Sequence, residues 1–166
     1  MKPQLPVLSL VLILSAAAAA AEPVSADGFS AAFPCRTKLE RQVVAADKLK
    51  IPVAARICDN KGALYYVVIS DFPKGFIAKK GEASALADAV GGAAANIKGT
   101  VKTNTPFMLG KTMGRDALIG VPGEKAAVHL RVFFAGDRQF QAMVVAPDGG
   151  ENGKAATAFL NSFKLK

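Results

Sequence analysis

Residues 128–145, VHLRVFFAGDRQFQAMVV, decide how this chain folds. Val128, Leu130, Val132 and Phe134 alternate along the first half, and Phe140, Ala142 and Val144 along the second. A period of two places each set on one face of a strand, and Gly136-Asp137 between them is a tight-turn pair. The stretch is therefore an antiparallel hairpin. The same grammar recurs upstream. In residues 51–58, Val53, Ala55 and Ile57 share a face, Asp59-Asn60-Lys61-Gly62 turns the chain, and residues 64–69 return it. Leu64, Tyr66 and Val68 there alternate with Tyr65, Val67 and Ile69, so the returning strand is apolar on both sides. That predicts a central strand with both faces covered and both tyrosines in the core. Residues 100–109 and 115–121 read as two more strands joined through Gly110 to Gly114, with Pro122-Gly123 as the next turn.

The period changes in residues 82–98, where Leu86, Val90, Ala94 and Ile97 fall three or four apart and form a helical stripe. Gly91-Gly92 inside it costs roughly 1 kcal/mol per glycine against alanine, which predicts a bend or a tight contact there. Near the end, Ala155, Ala156, Phe159, Leu160 and Phe163 form the apolar face of a closing helix. Phe29, Ala31 and Phe33, stopped by Pro34, make a short first strand, and residues 22–28 before it read as a flexible lead-in. Hairpins with one helix mid-chain and one at the end indicate an α+β domain over residues 29–166. Its mainly antiparallel sheet is expected to be covered by helices.

Residues 1–21 have the three zones of a secretory signal: Lys2, an apolar run from Val7 to Leu14, and an alanine tract from Ala16 to Ala21. Cleavage is expected after Ala21, with Ala26 as a second possibility. The apolar stretch is shorter than the ~20 residues a spanning helix needs, so the mature chain is expected in the periplasm or secreted, outside the membrane. Cys35 and Cys58 are the two cysteines, and an oxidising compartment predicts one disulfide between them. Closing a loop of that length stabilises by about 3 kcal/mol on the chain-entropy model. A structural zinc site takes four ligands, and His129 is the single histidine, so no metal is expected.

The ending RVFFAGDRQFQAMVVAP (131–147) followed by ATAFLNSFKLK (156–166) resembles the final hairpin and helix of small exported bacterial proteins of unknown function. In those, a G-[DN]-R-x-[YF] turn and an FL-x-SF-x-L helix follow one another. Gly136-Asp137-Arg138-Gln139-Phe140 and Phe159 to Leu165 stand here. Phe29…Phe33-Pro34 and Val121-Pro122-Gly123-Glu124 are similar to that group as well. The element order resembles the PsbP/Mog-type α/β sandwich. The resemblance implies that fold and supplies no active site.

The chemistry-bearing residues are sparse. Gly110-Lys111-Thr112 ends like a phosphate loop, but Thr105-Pro106 stands where the leading glycine belongs, so a β turn is expected. His129 lies on the strand face opposite Val128, Leu130 and Val132, and none of Ser25, Ser30, Ser70, Ser84 and Ser162 sits in a nucleophile elbow. Asp59, Asp71, Asp116 and Asp137 could in principle supply a carboxylate pair, but most have turn neighbours. A periplasmic hydrolase with a carboxylate- or histidine-based cleft is therefore the second reading. The first is a non-catalytic exported domain without cofactor that binds another envelope component. Twenty-one basic against 13 acidic side chains give a formal charge of +8. Lys98, Lys102, His129, Arg131 and Arg138 are the candidate basic face for an envelope protein or an anionic lipid or polysaccharide surface. Nucleic acid is not expected, since no basic and aromatic residues interleave.

Overall fold

The computed structural model describes residues 22–46 and 48–166; the expected signal segment, residues 1–21, lies outside the described residues. The strands are β1 (Glu22–Ala26), β2 (Phe29–Phe33), β3 (Lys38–Ala46), β4 (Leu49–Asn60), β5 (Ala63–Asp71), β6 (Thr100–Leu109), β7 (Thr112–Val121), β8 (Ala126–Ala135), β9 (Arg138–Pro147) and β10 (Lys164–Leu165). The α-helices are α1 (Phe76–Lys80), α2 (Glu82–Asn96) and α3 (Lys154–Ser162). A seven-stranded sheet runs β3-β4-β5-β9-β8-β7-β6, and a three-stranded sheet runs β1-β2-β10. Every pairing is antiparallel.

The large sheet is two meanders joined side by side. β3 to β5 form one and β6 to β9 the other, with the β5–β9 ladder closing the seam from Leu64↔Val145 to Asp71↔Arg138. Short turns fix the hairpin registers. Between β4 and β5, Lys61 and Gly62 both take positive φ (53° and 81°), the pair of left-handed residues that a two-residue hairpin loop needs. The Gly110-Lys111 pair is the β6–β7 turn, as expected from its failed phosphate-loop pattern.

The two faces of the large sheet are closed differently. On one, Leu86, Val90 and Ala94 of α2 meet Ile119 of β7 and Leu130 and Val132 of β8. On the other lie the small sheet and α3, over Tyr65, Val67, Phe133, Phe140, Ala142 and Val144. This overturns the expected sheet covered by helices. Strand makes up 57% of the described residues and helix 22%, and one whole layer is a second sheet. The physical reason is β2. Phe29, Ala31 and Phe33 bury one face of a short strand, and its backbone groups must still be paired. β1 does so on one side and β10 on the other, so residues 22–28, read as a flexible lead-in, are a strand and its Asp27-Gly28 turn.

Other differences are local. β3 and α1 were not foreseen. β5 is buried on one side at Tyr65, Val67 and Ile69, while Leu64, Tyr66 and Val68 on the other are half-buried, because α2 covers only β6 to β8. Gly91 and Gly92 face open space, so α2 runs through them as a regular helix. Cys35 and Cys58 form the expected disulfide, with Cα atoms 5.7 Å apart, pinning the chain after β2 to β4.

The layers meet at Phe163, which follows α3. Its ring stacks on Phe29 of the small sheet and on Phe133 of the large one, each at 5.8 Å between centroids. Phe163→Ala is expected to cost about 3–5 kcal/mol, measured as a lower urea midpoint with the denaturant slope unchanged. A loss of a few tenths would mean that the layers are held elsewhere.

Candidate functional site

β3 and the start of β4 form a ribbon that outruns the rest of the sheet. β5 stops at Asp71, opposite the β4 residues just before Val53, so the tip is two-stranded. Register sets which side chains share a face. Arg41↔Ala54↔Ile69↔Phe140 is one row, and Val43↔Pro52 and Ala45↔Lys50 continue it toward the tip. This is the face that carries the small sheet. Leu39, Arg41 and Val43 therefore stand beside Lys50, Pro52, Ala54 and Arg56 on that side.

Between the ribbon and the β1–β2 turn lies a cleft of about 390 Å³. Its floor is apolar, made by Val43, Pro52, Ala54 and Ile69, and its rim carries Asp27, Arg41, Asp71 and Arg138. Arg138 donates from Nε and Nη2 to the two oxygens of Asp71 (2.5 and 3.0 Å), and from Nη1 to the carbonyl of Asp27 (3.3 Å). Both side chains of the Arg138–Asp71 pair are about two-fifths exposed (41% and 43%), so the pair fixes geometry more than it adds stability. Arg41, Lys50 and Arg56 have no ion-pair partner among the described residues. Arg56 also keeps its Nε buried without an acceptor.

The five residues expected to form a basic face are dispersed. Lys98 sits in a left-handed residue after α2. Lys102 occupies a bulge in β6 and lays its stem over Gly120 of β7. Arg138 and Arg131 point to the same face, but Arg131 pairs with Ala142, four residues along β9 and about 13 Å away at strand rise. His129 and Arg131 are brought together, by an acid. Asp116 Oδ1 accepts from His129 Nε2 and Oδ2 from Arg131 Nε, both at 2.8 Å. Arg131 also donates to Asn161 Oδ1 of α3 at 3.0 Å and lies 4.2 Å over the Phe107 ring. These side chains are largely covered, at 13% exposure for His129 and 12% for Arg131.

That network ties β6, β7, β8 and α3 together. The His129 imidazole is committed to Asp116, and its Nδ1 is buried without a hydrogen-bond partner. Ser162 is spent elsewhere, donating to the Phe159 carbonyl and accepting from the Ala32 amide. Asp71 is held by Arg138, and Asp137 accepts from the Gly75 and Ile77 amides at the start of α1 (2.7 and 2.9 Å). Those amides, Ile77 foremost, hold the Asp137 carboxyl below its ordinary value. Among the described residues, no three His, Cys, Asp or Glu side chains gather as a metal site, and no helix is long and apolar enough to cross a membrane. No family model matches the chain, and no curated protein is similar to it.

Sequence reading missed the ribbon side chains because β3 was not recognised. The usable signal was Leu39, Arg41 and Val43 alternating toward a turn, with Lys50, Pro52 and Ala54 alternating away from it.

Burial works to raise the Asp116 carboxyl, but hydrogen bonds from His129 and Arg131, with their charges, outweigh it and hold the group below its ordinary value. A depressed folded pKa gives stability that is complete above the unfolded value of about 3.9 and lost as pH falls through the folded one. Asp116→Asn is expected to cost about 2 kcal/mol at neutral pH, since it strips Arg131 of its counter-charge. Thermal melts from pH 6 down to pH 2 should also show a shallower acid loss in the variant. Parallel acid limbs would mean that Asp116 does not carry that dependence.

Proposed function

We propose that this chain is an exported, non-catalytic binding domain that docks on an anionic component of the cell envelope through its β3–β4 ribbon. The observation that carries the reading is a cationic face beside an open cleft, without ion-pair partners for Arg41, Lys50 and Arg56 among the described residues. Arg41, Lys50 and Arg56 share one side of the ribbon, and Lys48 at its tip is exposed. Arg138 stands on the same side at the cleft rim.

Three further points support it. The disulfide suits an oxidising compartment such as the periplasm or the exterior, in keeping with the leader-like residues 1–21. The formal charge of +8 favours anionic partners generally. The hydrolase reading loses its best residue, because His129 faces Asp116 and Arg131 under α3 instead of a nucleophile in a cleft.

A bilayer bearing anionic lipids is the direct probe. Each lysine or arginine near such a surface contributes about 1 kcal/mol, so Lys48→Glu/Lys50→Glu is expected to weaken vesicle binding at least about tenfold at moderate salt. Lys98→Glu/Lys102→Glu, far across the sheet, is expected to leave it unchanged. Equal loss from both pairs would reduce the attraction to net charge, and no loss from the first would remove the ribbon from the reading.

A further inference from the structure

We infer that the cleft between the β1–β2 turn and the β3–β4 ribbon holds a single-chain amphiphile with a monoanionic head; the inference rests on the binding-domain reading above. Lining and charge agree on this occupant, and the cleft volume of about 390 Å³ falls in the range of small-ligand sites, about 300–1,000 Å³. A medium-chain carboxylate is the simplest member of the class. Val43, Pro52, Ala54 and Ile69 offer a tail four apolar side chains, with Gln42 and Val53 completing the lining between them.

The head is selected by the rim. Arg41 carries no ion-pair partner among the described residues, so a carboxylate placed there gains a charge-assisted hydrogen bond of the forked guanidinium–carboxylate kind. Arg138 has five N–H donors, of which Asp71 and the Asp27 carbonyl use three, leaving two. Asp71 is neutralised by Arg138, whereas Asp27 keeps its carboxylate at the rim. A second negative charge on the head therefore meets repulsion, and the site favours a monoanion over a dianion. The ribbon residues that line the cleft, 41–43 and 52–54, include no buried side chain, so that side can adjust around a tail at little cost.

The test is a ¹⁵N–¹H NMR titration of the mature, disulfide-bonded protein with decanoate below its micelle concentration, with decanol, decyl phosphate and acetate in parallel. Decanoate is expected to give saturable shifts at Arg41, Val43, Ala54 and Ile69. Decanol and dianionic decyl phosphate should bind at least tenfold more weakly, and acetate should not saturate. Arg41→Gln is expected to weaken decanoate at least tenfold while leaving decanol unchanged. Ala54→Leu, which fills the floor, should abolish both with the native spectrum retained.

Equal affinity for decanoate and decanol, shifts confined to other parts of the chain, or no saturation would overturn the inference. Loss of decanoate binding with vesicle binding intact would sink the cleft and leave the docking ribbon. Saturable decanoate binding without vesicle binding would do the reverse.

Discussion

The stack of Phe29, Phe163 and Phe133 is the interaction on which the rest of the molecule depends. The Phe163 ring lies nearly parallel to both neighbours, at 19° and 10°. Phe29 belongs to the small sheet, Phe133 to the middle of the large one, and Phe163 to the segment joining α3 to β10. One ring therefore touches both layers and the chain terminus that pairs with β2. Phe33 and Tyr65 pack on Phe159 one turn earlier, extending the same seam. Without that seam the small sheet would have three short strands and no second layer, which is too little to be stable in water.

The short motifs that made the C-terminal region stand out in the sequence have structural work to do at each position. Gly136 takes the left-handed turn conformation, with φ of 62°. Asp137 beside it accepts from the Gly75 and Ile77 amides at the start of α1, 62 and 60 residues back in the chain. Arg138 closes the β5–β9 seam by holding Asp71, and Phe140 enters the core. In the closing helix Phe159, Leu160 and Phe163 fill the core, while the Ser162 hydroxyl ties the helix end to the β2 backbone. Gly136, Asp137, Phe140, Phe159, Leu160, Ser162 and Phe163 are thus engaged in turn, cap and core, while Arg138 keeps two N–H donors beyond its bonds to Asp71 and Asp27.

The hairpins were legible because alternation and turn residues are both local signals. β8 and β9 announce themselves through Val128 to Val144 and Gly136, and β4 and β5 through Lys61-Gly62. β3 was not legible for a physical reason: all nine of its residues are exposed, so no buried face disciplines its pattern. α1 is a single turn and a half whose start is capped by a distant aspartate, a contact that no window of sequence contains. The covering of the sheet was misjudged because Phe29, Ala31 and Phe33 show that a strand buries one face, and not which layer receives it. The basic face failed on strand order. Lys102, Arg131 and Arg138 look near one another only until β6, β8 and β9 are spaced across the sheet and Arg138 is set at the far end of its strand.

The same accounting explains why the candidate site lies where it does. A strand exposed on both faces contributes little apolar burial, and a two-stranded ribbon alone is marginal in water. Among the described tip residues, 43–46 and 48–52, Ile51 alone is buried, and Val43 is left 64% exposed. The edge is shielded from pairing with other chains by Lys38, Glu40 and Arg41, the charged residues that sheet edges use for that purpose. What persists is a ribbon that the core does not need, carrying apolar and cationic side chains that the core does not satisfy. Opening costs least where burial is smallest, so the ribbon tip is the part of the fold that can adjust around a ligand while the stacked phenylalanines stay fixed. Ile69 on β5 is the fixed end of a cleft whose other apolar side chains, Val43, Pro52 and Ala54, stand on the ribbon beside Arg41, an arrangement suited to holding a flexible chain.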